Sequence, residues 1–176
     1  MKLIQRCMIN GERVEIADIN LVLTLNAAGR GFISVNNLSP EHSLAGAMVQ
    51  IDLGRDGEAW RYSSGYIERD QPAENGSRRL FIREAAAVLD FDFPCSMQHP
   101  TLRGVLDNLG KQSGIVFITP DADYVSIPTP YITHSGSGAQ LLSQLGRAFS
   151  ISDYVWHPMP DGSVFVGSAA DSRFAS

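Results

Sequence analysis

The 176-residue chain is 44% hydrophobic and carries a net charge of −5, which is enough apolar material to bury one substantial core or two small ones. Its acidic and basic residues are scattered rather than blocked, which argues against sequence-specific DNA binding, because nucleic-acid binders cluster Lys and Arg. The longest uninterrupted apolar run is the short AAAVL at 85–89, far from the roughly 18 residues that a membrane span needs.

The N-terminal MKLIQRCMINGERVEI contains Gln5, Arg6, Asn10 and Gly11, which interrupt any signal-peptide core and lead us to expect residence in the cytoplasm. From Met1 to Pro94 the dominant signal is alternation with period two, the mark of strands. Strands are expected at 2–9, at 13–25 with a break near Asp18, and at 31–36. In AMVQIDL, Val49, Ile51 and Leu53 share one face and Gln50 and Asp52 the other. The turn GRDG, with Asp56 and Gly57, then leads into a long second strand, EAWRYSSGYIER, in which Gly65 marks a bulge or a close approach. The polar DQPAENGSRR at 70–79 reads as an exposed loop. Strands at 79–84 and 86–93 complete the set, the latter because Leu89, Phe91 and Phe93 alternate with Asp90 and Asp92. So many short strands joined by turns favour a closed or nearly closed antiparallel barrel, which leaves no unpaired edge.

At FPCSMQHPTLRGVL the period changes from two to 3.6, and this sets the expected boundary: a β-barrel-like domain at 1–94 and a small α+β domain at 95–176. Pro100 suits the first turn of a helix, with His99 or Thr101 as caps, and Leu102, Val105, Leu106 and Leu109 form its apolar stripe. Arg103, Asp107 and Lys111 lie on the wet side, and the helix stops at Gly114. The strand IVFI, an extended YVSIP and PTPYIT follow. A second helix, from about Ala139 to Phe149, places Leu141, Leu142, Leu145 and Phe149 inward, and DYVWH and SVFVG flank a turn at Asp161 and Gly162 to make a hairpin.

LDNLGKQSG (106–114) and LSQLGRAFS (142–150) are one pattern used twice. Leu106, Leu109, Gly110 and Lys111 match Leu142, Leu145, Gly146 and Arg147 in type and spacing, each near the end of a helix that feeds a strand. Glycine inside a helix costs roughly 1 kcal/mol relative to alanine, so each helix is expected to pack its backbone closely there.

Residues that could carry chemistry are few. THSGSGAQLL opens a helix after a glycine-rich turn, which could hold a phosphate, but it matches neither GxxxxGK[ST] nor GxGxxG. The plain reading is a helix capped by Ser135 or Ser137. His42, His99, His134 and His157 lack ligand spacing, and Ser135 beside His134 is no triad, since GxSxG is absent. Asp90 with Asp92, and Asp121 with Asp123, read as solvated carboxylates. Cys7 and Cys95 are too few for a disulfide framework, wrongly spaced for zinc, and expected to be buried thiols. We therefore expect no catalytic residue, metal or cofactor. Trp60, Tyr62 and Tyr66 lie at even spacing on one strand and share a face unless Gly65 introduces a bulge; they read as a core stripe or as a subunit interface.

A β-rich first half followed by PTLRGVL, a glycine-ended helix, a short strand, a second helix after HSGSG and a closing hairpin with DG resembles the tail-hub (baseplate hub) family of long-tailed bacteriophages, including its late-control type. The positions that carry the resemblance are Pro100, Thr101, Leu102, Val105, Leu106, Gly114, Gly136, Gly138, Leu142, Leu145, Trp156, Asp161 and Gly162. It implies a non-catalytic ring, usually of three chains, at the tip of the tail tube in the virion and assembled in the host cytoplasm. It also implies tail tube, distal tail, tape measure and fibre or baseplate proteins as partners, with DNA passing only transiently and non-specifically. Full hubs of the family are longer and carry a second barrel, so this length reads as a minimal hub, a hub partner or a distal-tail component. The alternative is a non-catalytic adaptor of an envelope machine, because LRGVLDNLGKQSGIVF also resembles the short helix–strand domains of secretins and TonB-dependent receptors.

Overall fold

The computed structural model describes residues 3–36, 43–73 and 76–175. The chain divides into two units. The first comprises the chain up to Leu23, Ala28–Ala85 and Pro160–Gly162, and the second comprises Thr24–Ala27, Ala86–Met159 and the chain from Ser163 onward. The position between 94 and 95 falls inside the second unit.

The first unit is a closed barrel of six strands: β1 (Leu3–Ile9), β2 (Glu12–Val22), β3 (Arg30–Asn36), β4 (Met48–Arg55), β5 (Glu58–Pro72) and β6 (Arg78–Glu84), in the order β1-β2-β3-β6-β5-β4. Every neighbouring pair is antiparallel. Period-two alternation sends Cys7, Ile9, Ile33, Val35, Val49, Ile51, Ile67, Leu80 and Ile82 into one core. Two hairpins close on two-residue loops whose residues both take the left-handed backbone that such turns need. Asn10 (φ 50°) and Gly11 (φ 86°) join β1 to β2, and Asp56 (φ 52°) and Gly57 (φ 104°) join β4 to β5.

Three irregularities set the barrel's detail. The register of β2 against β3 shifts between Ile16 and Asp18, at the break read in the sequence. β4 and β5 slip between Ile51 and Asp52, and β5 and β6 between Ile67 and Arg69. Gly65 is a close-approach glycine: a Cβ there would stand 1.8 Å from the Arg83 carbonyl oxygen.

Two sequence expectations fail in this half. The stretch 70–79 is not simply an exposed loop, because β5 runs on to Pro72 and β6 starts at Arg78. The Asp70 side chain is 1% exposed and paired with the Arg78 guanidinium, with Nε 2.9 Å from Oδ1 and a second contact between Nη2 and Oδ2. Its Oδ2 also accepts the Leu44 N–H at 2.8 Å. Nor is 86–93 a strand. Ala85–Asp90 is a 3₁₀ helix in which Ala86 and Leu89, three apart, are both buried, as the three-residue turn requires.

The second unit holds α1 (Leu102–Ser113) and α2 (Gly138–Ala148) with two small sheets. One sheet orders β10 (Tyr154–Pro158), β11 (Val164–Ser168) and β8 (Phe117–Ile118); β10 runs antiparallel and β8 parallel to β11. The other pairs β7 (Cys95–Gln98) with β9 (Tyr131–His134). Leu102, Val105, Leu106 and Leu109 of α1 and Leu141, Leu142 and Leu145 of α2 are buried, with Trp156, Val164 and Val166 of the larger sheet. Thr101 is the N-cap of α1, so Pro100 precedes the helix rather than entering its first turn. YVSIP is not extended throughout, since Asp123–Val125 is a short 3₁₀ turn.

The pattern at 106–114 and 142–150 is a structural unit used twice. A Cβ on Gly110 would lie 2.8 Å from the Ile115 carbonyl oxygen, and one on Gly146 would lie 2.5 Å from Cγ of Tyr154. Each glycine thus lets the strand-bound segment after its helix fold back against it. The match extends to the exits: Gly114 (φ 75°) and Ser150 (φ 52°), thirty-six positions apart, both take the left-handed conformation that ends a helix.

Candidate functional site

Two N–H groups of the glycine-rich turn before α2, those of Ser137 and Gly138, are engaged internally. Ser137 caps the helix: its Oγ accepts the Gln140 N–H at 3.2 Å, and Gln140 Oε1 accepts the Ser137 N–H at 3.0 Å. The Gly138 N–H donates to the Phe91 carbonyl at 3.1 Å. Glycine is needed at 138 because a Cβ would meet Leu109 Cδ1 at 3.0 Å and the Leu89 carbonyl oxygen at 3.2 Å. This is the capping reading of the sequence, with Ser137 rather than Ser135 as the cap.

The candidate ligands stay apart. His134 Nε2 lies 2.9 Å from the Ser137 carbonyl oxygen. His157 is buried between the rings of Phe165 and Phe174, with centroids at 5.2 and 4.8 Å, and burial holds its pKa below the ordinary value. His99 is exposed, and His42 lies outside the described residues. Among the described residues no three of His, Cys, Asp and Glu gather as a metal site would require. Asp90, Asp92, Asp121 and Asp123 are exposed. Cys7 is buried at the barrel core, which pushes its thiol up to about 12, with Asp52 adding to the shift. Cys95 is only partly buried, contrary to the expectation for both.

The aromatic strand is more informative. Trp60 pairs with Leu53 and Tyr66 with Met48, five positions apart on a β4 that pairs regularly with β1. The slip between Ile51 and Asp52 inserts Tyr62 as the extra residue of β5. The bulge reverses the alternation, so Trp60 faces the side of Leu53 and Ile51 while Tyr66 points outward with Met48. The three aromatics therefore do not share one face. Trp60 is 58% and Tyr62 41% exposed, and Tyr66 is half-buried.

The outer wall of β3, β6 and β5 gathers charge that is scattered in the sequence. With Leu80 and Ile82 inward, Arg79 and Phe81 point outward on β6, and Phe32 pairs with Phe81 across from β3. The two phenyl rings lie 5.0 Å apart at 47°. Arg79 stacks over Phe32 at 4.3 Å and Arg69 of β5 over Phe81 at 4.8 Å, within cation–π range. The result is a four-membered ladder, Arg79–Phe32–Phe81–Arg69. Alternation in RRLFIRE places Arg79 and Phe81 on one face, but bringing in Phe32 and Arg69 takes the register of three strands.

No family model matches the chain. It is 43% identical over 175 residues to an uncharacterised 58.7 kDa protein in the lys 3′ region of Haemophilus phage HP1 (strain HP1c1), covering 99% of this chain and 32% of that protein. The 43 kDa tail protein of prophage MuSo2 from Shewanella oneidensis superposes with a TM-score of 0.71 at 18% identity, over 94% of this chain and 54% of that one. A tail protein from Neisseria meningitidis MC58 gives 0.67 at 17% identity, over 95% and 52%. The chain thus spans about a third of its phage relative's length and about half of each solved tail protein. The resemblance read in the sequence holds at the level of the fold: this chain has the fold of the prophage MuSo2 and Neisseria tail proteins.

Proposed function

We propose that the chain is a structural component of a phage or prophage tail: a hub segment that closes into a ring, of three copies, at the tail tip and continues the channel of the tail tube into the baseplate. The observation that carries this reading is the match of 94% of the chain, barrel and helix–strand unit together, to a prophage tail protein. The identity to a phage-encoded protein supports it. Its partners are further copies of itself and the tail tube, distal tail, tape measure and fibre or baseplate proteins, and its place is the tail tip after assembly in the host cytoplasm. DNA crosses the ring without lasting contact, in keeping with a net charge of −5. The role is mechanical and non-catalytic. Exposed Trp60 and Tyr62, with Tyr66, supply aromatic contact area between subunits.

Light scattering across a range of concentrations, alone and with neighbouring tail proteins, tests the ring. A discrete closed oligomer is expected. A protein that remains monomeric under every one of these conditions contradicts the reading.

A further inference from the structure

We propose that the outer wall of β3, β6 and β5, built on the Arg79–Phe32–Phe81–Arg69 ladder, is the surface by which one copy of this chain docks the acidic surface of a second copy. The inference rests on the ring reading above and names the contact that closes it.

Three observations point to a protein interface on this wall. Arg, Phe, Tyr and Met, types enriched at interfaces, point outward on it, with Ser34 and Gln71 flanking Arg79. Met48, 60% exposed, and Tyr66 pair side by side and continue the ladder on β4 and β5. Arg69 and Arg79 are exposed, and the ion pairs Arg61–Asp52 and Arg78–Asp70 involve neither of them. Asp70 and Glu84 are buried, Glu84 accepting the Gly29 N–H, and exposed Glu68 sits in the bulge of β5. Stacking on phenyl rings also fixes the two guanidinium groups in advance, so less side-chain freedom is lost when their N–H groups meet carboxylates.

Charge complementarity selects the occupant. The chain is acidic overall, and the second unit carries seven aspartates, all exposed, against four basic residues. Each copy therefore offers stacked arginines on its barrel wall and exposed carboxylates on its second unit. Such a contact is head-to-tail, the kind that closes into a ring when the rotation permits. Bidentate Arg–carboxylate pairs favour this partner, because each guanidinium presents a fork of N–H donors.

The test is the self-association of the full chain by sedimentation velocity, comparing wild type with Arg69→Glu/Arg79→Glu. Arg6→Glu/Arg13→Glu, on the exposed outer faces of β1 and β2, makes an equal change in net charge away from both proposed surfaces. Thermal unfolding checks that both variants fold. The ladder variant should associate at least about tenfold more weakly than wild type and the β1–β2 variant should not, with wild-type association falling as salt rises from about 0.1 to 1 M. If wild type associates and the ladder variant does so equally well, this inference is overturned while the ring reading stands. If wild type never associates with itself but binds another tail protein through this wall, the occupant is wrong and the second-copy assignment falls. A wild type that associates with nothing overturns the ring reading itself.

Discussion

The ring of Tyr154 lies against the backbone of Gly146, so close that a methyl group added at Gly146 would stand 2.5 Å from Cγ. The tyrosine hydroxyl reaches past the helix turn to donate to the Leu142 carbonyl at 2.6 Å. Gly146→Ala therefore overpacks a buried contact. Although alanine is the better helix former, by about 1 kcal/mol, overpacking costs about 1–3 kcal/mol, and net destabilisation of roughly 1–2 kcal/mol is expected in denaturant unfolding. Gly110→Ala, which meets the Ile115 carbonyl oxygen at 2.8 Å, should move in the same direction.

The helix exits make an independent pair. Gly114 has open space around its missing Cβ but a φ of 75°, so Gly114→Ala should cost about 1 kcal/mol through backbone strain alone. Ser150 occupies the matching position with φ 52°. Ser150→Gly relieves that strain and loosens the unfolded chain, so stability should hold or rise by up to about 0.5 kcal/mol. A clear loss on Ser150→Gly would contradict the equivalence of the two exits.

Inside the barrel, the Asp70 side chain is 1% and Arg78 13% exposed, with the carboxylate also holding the Leu44 N–H. Removing one partner strands the other away from water, so Asp70→Ala or Arg78→Ala should each cost about 3–5 kcal/mol, and the double variant less than the two together. A double-mutant cycle by denaturant unfolding measures the coupling.

His157 predicts a pH dependence. Burial lowers its pKa in the folded chain below the ordinary 6.5, so the unfolded chain binds the proton more readily. Its contribution to stability is whole above about pH 6.5 and declines as pH falls from there towards the lower folded pKa. Thermal unfolding at a series of pH values should show this slope in wild type and a shallower one in His157→Phe.

The two thiols should separate kinetically. Cys7 is buried with its pKa pushed up to about 12, and thiolate is the reactive form. Partly buried Cys95 should react with a thiol reagent in the folded protein at about pH 8 and Cys7 only after denaturation. Two fast thiols in the native state would show that the barrel core opens.

Much of this architecture is legible in the sequence because local chemistry dictates it. Asp56-Gly57 fixes a hairpin, Val49 and Ile51 fix a face, and the leucine stripes fix two helices. What failed did so for physical reasons. Asp70 and Arg78 sit among turn-forming residues and read as solvated, since only the fold shows that they neutralise each other inside the barrel. Leu89, Phe91 and Phe93 alternate like a strand, yet the preceding alanines bury in a 3₁₀ turn. The bulge at Tyr62 turns Trp60 and Tyr66 to opposite faces, and the arginine–phenylalanine ladder depends on the registers of β3, β5 and β6. Such features belong to strand pairing, which no single segment encodes.

A place at the tip of a tail is tested most directly by electron microscopy of purified phage or tail particles carrying the chain, labelled with a gold-conjugated antibody raised against it. Label confined to the tail tip is the expected result. Label along the head or sheath, or particles that lack the chain while remaining complete and infectious, would contradict it.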